Sequence, residues 1–272
     1  TYSEAEAMVV RQSLIDGDMA KLSDRDPNRA APIAGARIAQ EADHEMAISR
    51  INLVQIDGEY RTSQIVSPVD GRWPYRQGAL DFFERLRSEG HGAFDGPETR
   101  PASERCVGPN AGPAAPMVGW FYNANMQIIQ TEDYVIISGE LNHDARIIPL
   151  NREQAAYDYP QWMGNSWGYW DGDTLVVETT DFRAEQSWFA FRMSGQLAAT
   201  ERFRLNSPNE IYYRLTLTDP EMLTEPLVLE RNIVRRSPGE TIYEYACHEG
   251  NYSLSSILAG ARRQESDSER GR

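Results

Sequence analysis

Apolar and polar positions alternate with a period of two along most of the second half of the chain. Such runs are typical of half-buried β-strands. They predict strands over residues 126–130, 134–138, 145–150, 174–178, 200–205, 211–218, 227–235 and 241–246. Because the strands are short and turn sequences rather than helices separate most of them, we expect a mainly β protein. Its core is predicted to be an antiparallel barrel of the lipocalin-like type or a sandwich.

The pattern is different before this region. Residues 1–63 are polar and mixed, and predict an arm of helical and extended segments. Ser3 followed by Glu6 is a capping box that begins a helix over about residues 3–14. Residues 36–49 predict a second helix, and Asp57-Gly58 predicts a hairpin turn.

The rest of the chain divides into three further predicted regions. Residues 64–119 are rich in Gly and Pro and predict a loop-rich segment that wraps the core, with one helix over 77–88. Residues 120–263 form the predicted antiparallel β core. It ends in a short helix over 255–263, and residues 264–272 are a charged tail that we expect to fray.

Composition excludes several classes of function. The 272 residues carry a formal net charge of -14, which argues against nucleic acid or an anionic membrane surface as a partner. No run of 18 apolar residues occurs, so no membrane span is expected. Lys21 is the only lysine, which argues against Schiff-base catalysis and a P-loop. The length suits one large domain, or one domain with an arm.

The densest group of reactive side chains lies in residues 243–252, which include Tyr245, His248 and Glu249. The predicted strand 241–246 would place His248 and Glu249 at the rim of a sheet, where functional side chains commonly lie. The alternative is a core strand with packed tyrosines and solvated end residues.

A second group precedes the strand 145–150. Alternation puts His143 and Ala145 on one face, and Asp144 and Arg146 on the other. Either Asp144 forms a structural ion pair with Arg146, or His143 and one of these two face a shared pocket. Two of the chain's four histidines, His143 and His248, thus lie beside carboxylates at strand ends, which favours a general acid–base role.

Aromatic residues are unusually dense between the strands, at Trp162, Trp167, Tyr169 and Trp170. Core packing explains most aromatics in a β protein. A barrel cavity lined by them would instead bind a planar, apolar guest.

Metal and thiol chemistry receive little support. His143, Cys247, His248 and Glu249 offer metal-ligating atoms, but their spacing matches no established zinc or facial-triad site, so no metal or other cofactor is expected. Cys106 and Cys247 form either a disulfide that closes a long loop or two buried free thiols, and their number alone does not decide between these.

Several motifs resemble a mostly uncharacterised family of exported bacterial proteins, over roughly residues 64–262. The similar stretches are residues 134–137, 143–150, 170–180, 201–203 and 243–252. Two departures concern the pocket. Ala198-Ala199-Thr200 stands where family members often carry a His, and the aromatic stretch 167–170 replaces a segment that is more often charged. Both suggest a more apolar pocket in this chain.

The resemblance implies a periplasmic or secreted protein, although no signal peptide is visible in the chain. The family pattern has cysteines that match Cys106 and Cys247, and export favours their disulfide. The chain also resembles, more weakly, cofactor-independent lyases that process lignin-derived aromatic dimers, such as phenylcoumaran γ-formaldehyde lyases.

We therefore expect a cofactor-independent lyase or isomerase that acts on a phenolic substrate and can eliminate formaldehyde. One alternative is a lipocalin-like binding protein without catalysis, and another is a structural domain whose motif residues form a buried polar network. The expected partners are a small aromatic substrate or ligand and, as an option, a second copy in a homodimer. The expected catalytic residues are His143, Asp144, Arg146, Tyr245 and His248; the expected substrate-binding residues are Trp162, Trp167, Tyr169, Trp170, Glu249 and Asn251.

Overall fold

A computed structural model describes residues 1–23, 53, 55–107, 115–118, 125–150, 158–187 and 191–271. Three α-helices and eleven strands occur in these residues. The helices are α1 (Glu4–Ser23), α2 (Phe82–Ser88) and α3 (Tyr252–Arg270). The strands are β1 (Gln55–Ile56), β2 (Glu59–Tyr60), β3 (Ile65–Ser67), β4 (Met126–Gln130), β5 (Tyr134–Gly139), β6 (Ala145–Pro149), β7 (Asn165–Asp171), β8 (Thr174–Thr180), β9 (Ala198–Ser207), β10 (Glu210–Thr218) and β11 (Leu227–Val234). The chain forms two compact units, Thr1–Gln64 and Ile65–Arg272.

The first unit contains α1 and the β1–β2 hairpin. The predicted capping box is present, because Ser3 N donates to Glu6 Oε2 at 2.8 Å and Glu6 N donates to Ser3 Oγ at 3.4 Å. Asp57 and Gly58 have φ values of 51° and 82°, the left-handed pair that a tight two-residue hairpin turn requires. The helix predicted over 36–49 lies outside the described residues.

The second unit contains two antiparallel sheets. One has six strands in the order β3-β11-β10-β9-β8-β7, and the other has three in the order β4-β5-β6. A single parallel bridge between Leu150 and Gly168 connects β6 to β7. Backbones approach closely there, since a Cβ added to Gly168 would lie 3.0 Å from Ile148 Cγ2.

The inner faces of both sheets build one hydrophobic core. Val135, Ile137 and Ile148 come from the three-stranded sheet, and the larger sheet contributes such residues as Leu215 and Leu217. The mainly β antiparallel fold is therefore confirmed. The described strands do not close into a barrel, and the arrangement is consistent with a sandwich.

Most predicted strands are present, but the one over 241–246 is wrong, because these residues have no regular structure. The preceding strand, β11, pairs with β10 along its whole length and with β3 only at Val228 and Leu229. The segment 241–246 is instead bonded by side chains of the turn between β5 and β6, at Tyr243 N and Tyr245 O. Conversely, β7 lies in the aromatic stretch that the pattern treated as an interruption.

Helix bounds also differ from the prediction. α2 begins late because Asp81 caps it, accepting from Glu84 N at 2.8 Å, and Leu80 lies outside the helix and exposed. The C-terminal helix is confirmed but longer, and continues through most of the predicted tail. Pairs such as Arg263–Asp267, at 3.0 Å and four residues apart, add support to this charged part. Among the described residues, none of the helices is long and apolar enough to cross a membrane.

Candidate functional site

The two motif segments, about 100 residues apart in the chain, meet at the turn between β5 and β6. This turn contains two consecutive residues with left-handed backbone, Asn142 with φ 56° and His143 with φ 43°. Such conformations are uncommon for residues other than Gly and are found preferentially at functional sites. They direct the His143 side chain to the segment after β11, where Nδ1 lies 3.0 Å from the Tyr245 carbonyl oxygen.

This contact defines the protonation state that His143 needs. A carbonyl oxygen only accepts, so Nδ1 must carry the hydrogen and donate it. In the neutral imidazole, Nε2 is then the atom with a lone pair. The side chain is exposed, so Nε2 is positioned as a proton acceptor for a molecule that approaches from outside.

Asp144 is the neighbouring titratable group. Burial raises the pKa of its carboxyl group above the usual value, because desolvation disfavours the charged form, and the nearby His143 has the smaller, opposite effect. A carboxylate there would stabilise the imidazolium that forms when His143 accepts a proton.

Arg146 does not pair with Asp144. Its side chain is 3% exposed and points into the core, where it forms an ion pair with Glu201 of β9. Arg146 Nε donates to Ser166 Oγ at 3.0 Å, and Nη2 donates to Thr179 Oγ1 at 2.8 Å. Arg146 therefore does form a structural ion pair, but with Glu201 and not with Asp144 as predicted.

The buried network continues beyond this pair. Tyr213 OH donates to Glu201 Oε1 at 2.8 Å, and burial raises the pKa of Tyr213 well above its usual value. The Arg231 guanidinium carbon lies 5.9 Å from the centre of the Tyr213 ring, at cation–π distance. Sequence reasoning missed Glu201 and Tyr213 as polar partners, although a carboxylate at an inward position of an alternating strand was an available signal.

The aromatic residues lie in different environments. Trp167 and Tyr169 stack on each other with ring centres 5.6 Å apart. Because side chains alternate along β7, both lie on the face opposite to Ser166, and Trp170 lies on the Ser166 face at the strand end, 41% exposed. These three residues therefore do not form one lining.

Trp162 is engaged by two cations. The guanidinium carbons of Arg183 and Arg105 lie 4.7 Å and 5.8 Å from its ring centre. Arg183 also pairs with Glu185 at 2.6 Å. A substrate ring would have to compete with these guanidinium groups, and a role of Trp162 in binding stays a prediction.

The predicted disulfide between Cys106 and Cys247 is confirmed. It attaches the second motif segment to the 3-10 helix Ala102–Arg105, and it is compatible with an extracellular protein. Because Cys247 is in this bond, its sulfur is not a thiolate ligand for the mixed metal site considered above. Within the described residues, no group of three or more His, Cys, Asp or Glu side chains could hold a metal ion.

The remaining predicted site residues are at the end of the same segment. Asn251 is the N-cap of α3, and its Nδ2 donates to Glu104 O at 2.8 Å. Both polar ends of its amide are thus engaged in the fold. His248 and Glu249 are exposed, and no hydrogen bond connects the His143 and His248 side chains, both of which are described.

The fold and the site define a mainly β, antiparallel protein in which a disulfide-linked segment contacts the turn that carries His143 and Asp144. No protein-family model, curated protein or solved structure matches the chain. The function must therefore be argued from the site itself.

Proposed function

We propose that this chain is a cofactor-independent lyase or isomerase that acts on an aromatic small molecule, with His143 as its proton-transfer group. The observation that carries the proposal is the hydrogen bond from His143 Nδ1 to the Tyr245 carbonyl oxygen, at 3.0 Å. It leaves Nε2 as the accepting atom, and Asp144 beside it can stabilise the resulting imidazolium. Both features are typical of general acid–base sites.

The proposed reaction uses a phenolic dimer with a primary alcohol, as the weaker resemblance implies. His143 Nε2 takes the hydroxyl proton, and the oxygen electrons form the carbonyl of formaldehyde as the carbon–carbon bond breaks. The electrons of that bond form a carbon–carbon double bond, and the neighbouring carbon–oxygen bond breaks to release a phenolate. His248 or Tyr245 gives a proton to the phenolate oxygen, and the proton held by the His143 imidazolium restores that donor through solvent, so that no oxidant, reductant or net proton is consumed.

The contacts change one role that the sequence suggested. Arg146 was among the expected catalytic residues, but Glu201 neutralises its charge within the core. We therefore assign Arg146 to the stability of the sandwich, and keep His248 and Tyr245 as candidate proton donors from the second motif segment. Periplasmic location, membership of the exported family and a homodimer remain proposals.

A direct test is incubation of the purified protein with a panel of lignin-type phenolic dimers, followed by mass spectrometry for products and formaldehyde. We expect His143→Ala and His248→Ala each to lower turnover by about 100-fold or more, the usual scale for a general acid–base group. His91→Ala is the matched control, because His91 is also exposed with a carboxylate nearby, Asp95 Oδ2 at 3.9 Å. Equal losses in all three variants would contradict the assignment.

A binding protein without turnover is the second candidate. The observation that favours it is the exposure of His143 and His248, since active sites commonly exclude water from the reacting groups. In that case the panel would yield ligands that raise the melting temperature, with no product formed by any of them.

A further inference from the structure

Residues 243–245 have the sequence of a strand, but they pair with none of the described strands. β11, the strand that precedes them, pairs with β10 along its length and with β3 only at Val228 and Leu229. Backbone N–H and C=O groups still need partners, because unpaired ones are costly. Two side chains from the turn between β5 and β6 supply these partners.

The two side chains are those of Glu140 and His143. Glu140 Oε2 accepts a hydrogen bond from Tyr243 N at 3.1 Å, and His143 Nδ1 donates to Tyr245 O at 3.0 Å. An N–H and a C=O two residues apart are the groups that a strand presents to the same neighbour. The Glu140 carboxylate and the His143 imidazole, both from this turn, thus make the two hydrogen bonds that a neighbouring strand would make.

We propose that Glu140 is a positioning residue for His143: its carboxylate holds the backbone of residues 243–245 where the Tyr245 carbonyl fixes the His143 tautomer. No feature of the sequence singled out Glu140. The inference deepens the proposed function, and only its kinetic part rests on that function.

The surroundings of Glu140 suit such a role. Glu140 is 2% exposed, so its carboxylate lies at a fixed place in the fold. Oε2 also accepts from Asn125 Nδ2 at 3.0 Å, and Glu140 N donates to Asn125 O at 2.9 Å, which anchors it to the start of β4. The Glu140 carbonyl accepts from His143 N at 3.0 Å, so the backbone of the same residue closes the turn that carries the imidazole.

The test reads the tautomer by nitrogen-15 NMR of histidine-labelled protein, without any substrate. The chain has four histidines, so His143→Gln identifies the His143 signals. We expect the wild type to show hydrogen on Nδ1, and Glu140→Ala to show the mixture of tautomers of an unrestrained imidazole. Glu140→Gln should keep the wild-type tautomer, because its carbonyl oxygen can still accept from Tyr243 N.

Glu230→Ala is the matched control, since it removes another buried strand carboxylate, one that accepts from Tyr212 OH at 2.9 Å. It should leave the His143 tautomer unchanged. If Glu140→Ala does not fold, Glu140→Asp should show the same mixture of His143 tautomers, because the shorter side chain withdraws the carboxylate from Tyr243 N. Hydrogen on Nδ1 in both Glu140→Ala and Glu140→Asp, or its absence in the wild type, would overturn the inference.

Turnover is measured on the same variants. If the phenolic reaction occurs, Glu140→Ala should lower kcat by about 10- to 100-fold, the scale seen when an orienting partner is removed, with a smaller change in KM. If the tautomer responds as expected but no substrate in the panel reacts, the positioning role stands and the proposed reaction fails.

Discussion

The buried Arg146–Glu201 pair offers the sharpest test of how this fold is stabilised. The two side chains are 3% and 0% exposed, and Arg146 also donates to Ser166 and Thr179. Arg146→Met keeps an unbranched side chain of similar length but removes the charge and its donors. Glu201 then keeps its bond from Tyr213 and loses its counter-charge.

The expected loss is large. Removing one partner of a buried ion pair costs about 3–5 kcal/mol, because the other charge stays desolvated. For a unit of about 150–250 residues, each kcal/mol lowers the melting temperature by about 2–4 °C, which gives a fall of about 6–20 °C.

Urea unfolding followed by circular dichroism and tryptophan fluorescence measures this loss. In the double variant Arg146→Met/Glu201→Gln we expect about 1–3 kcal/mol less destabilisation than the sum of the two single changes, because neither charge remains. Arg202→Met is the control: its pair with Asp171, at 3.1 Å, is exposed and worth at most about 1 kcal/mol. Additive losses, or a loss from Arg146→Met no larger than that of the control, would refute the reasoning.

Three further predictions concern the disulfide, Asp144 and metals. Replacing Cys106 and Cys247 together by Ala should lower the free energy of unfolding by up to about 5 kcal/mol in the chain-entropy model, because the disulfide closes a loop of 141 residues. Two free thiols in non-reducing mass spectrometry of the wild type would contradict the disulfide. Asp144→Asn should raise the melting temperature at pH 7. The Asp144 pKa is higher in the folded than in the unfolded protein, so the wild type loses stability as pH rises from the unfolded to the folded pKa, and Asn avoids this loss. The gain should vanish below about pH 4, where both states are protonated, and an equal gain at pH 3 would point to another cause. Exhaustive chelation should leave activity or ligand binding unchanged, and one tightly held metal per chain in elemental analysis would oppose this.

The sequence by itself determined most of the strands. A period-two pattern records which side chains enter the core, and this is a local property of each strand. The strand Met126–Gln130 has its predicted bounds, and the Asp57-Gly58 turn lies where only a left-handed pair fits. The same alternation put Ala145 and Arg146 on opposite faces, and in the structure Ala145 is exposed and Arg146 is buried.

Partners and neighbours were decided by the tertiary structure. Residues 241–246 have a strand pattern, but they pair with none of the described strands, and side chains of the turn between β5 and β6 bond Tyr243 N and Tyr245 O instead. Arg146 pairs with a carboxylate 55 residues away because strand register brings Glu201 to the same inner face. The His143–Tyr245 contact spans 102 residues, and Glu140, which bonds Tyr243 N, lies 103 residues from it in the chain. Periodicity reports which face of a strand is buried, whereas the identity of the group across that face depends on how distant strands pack.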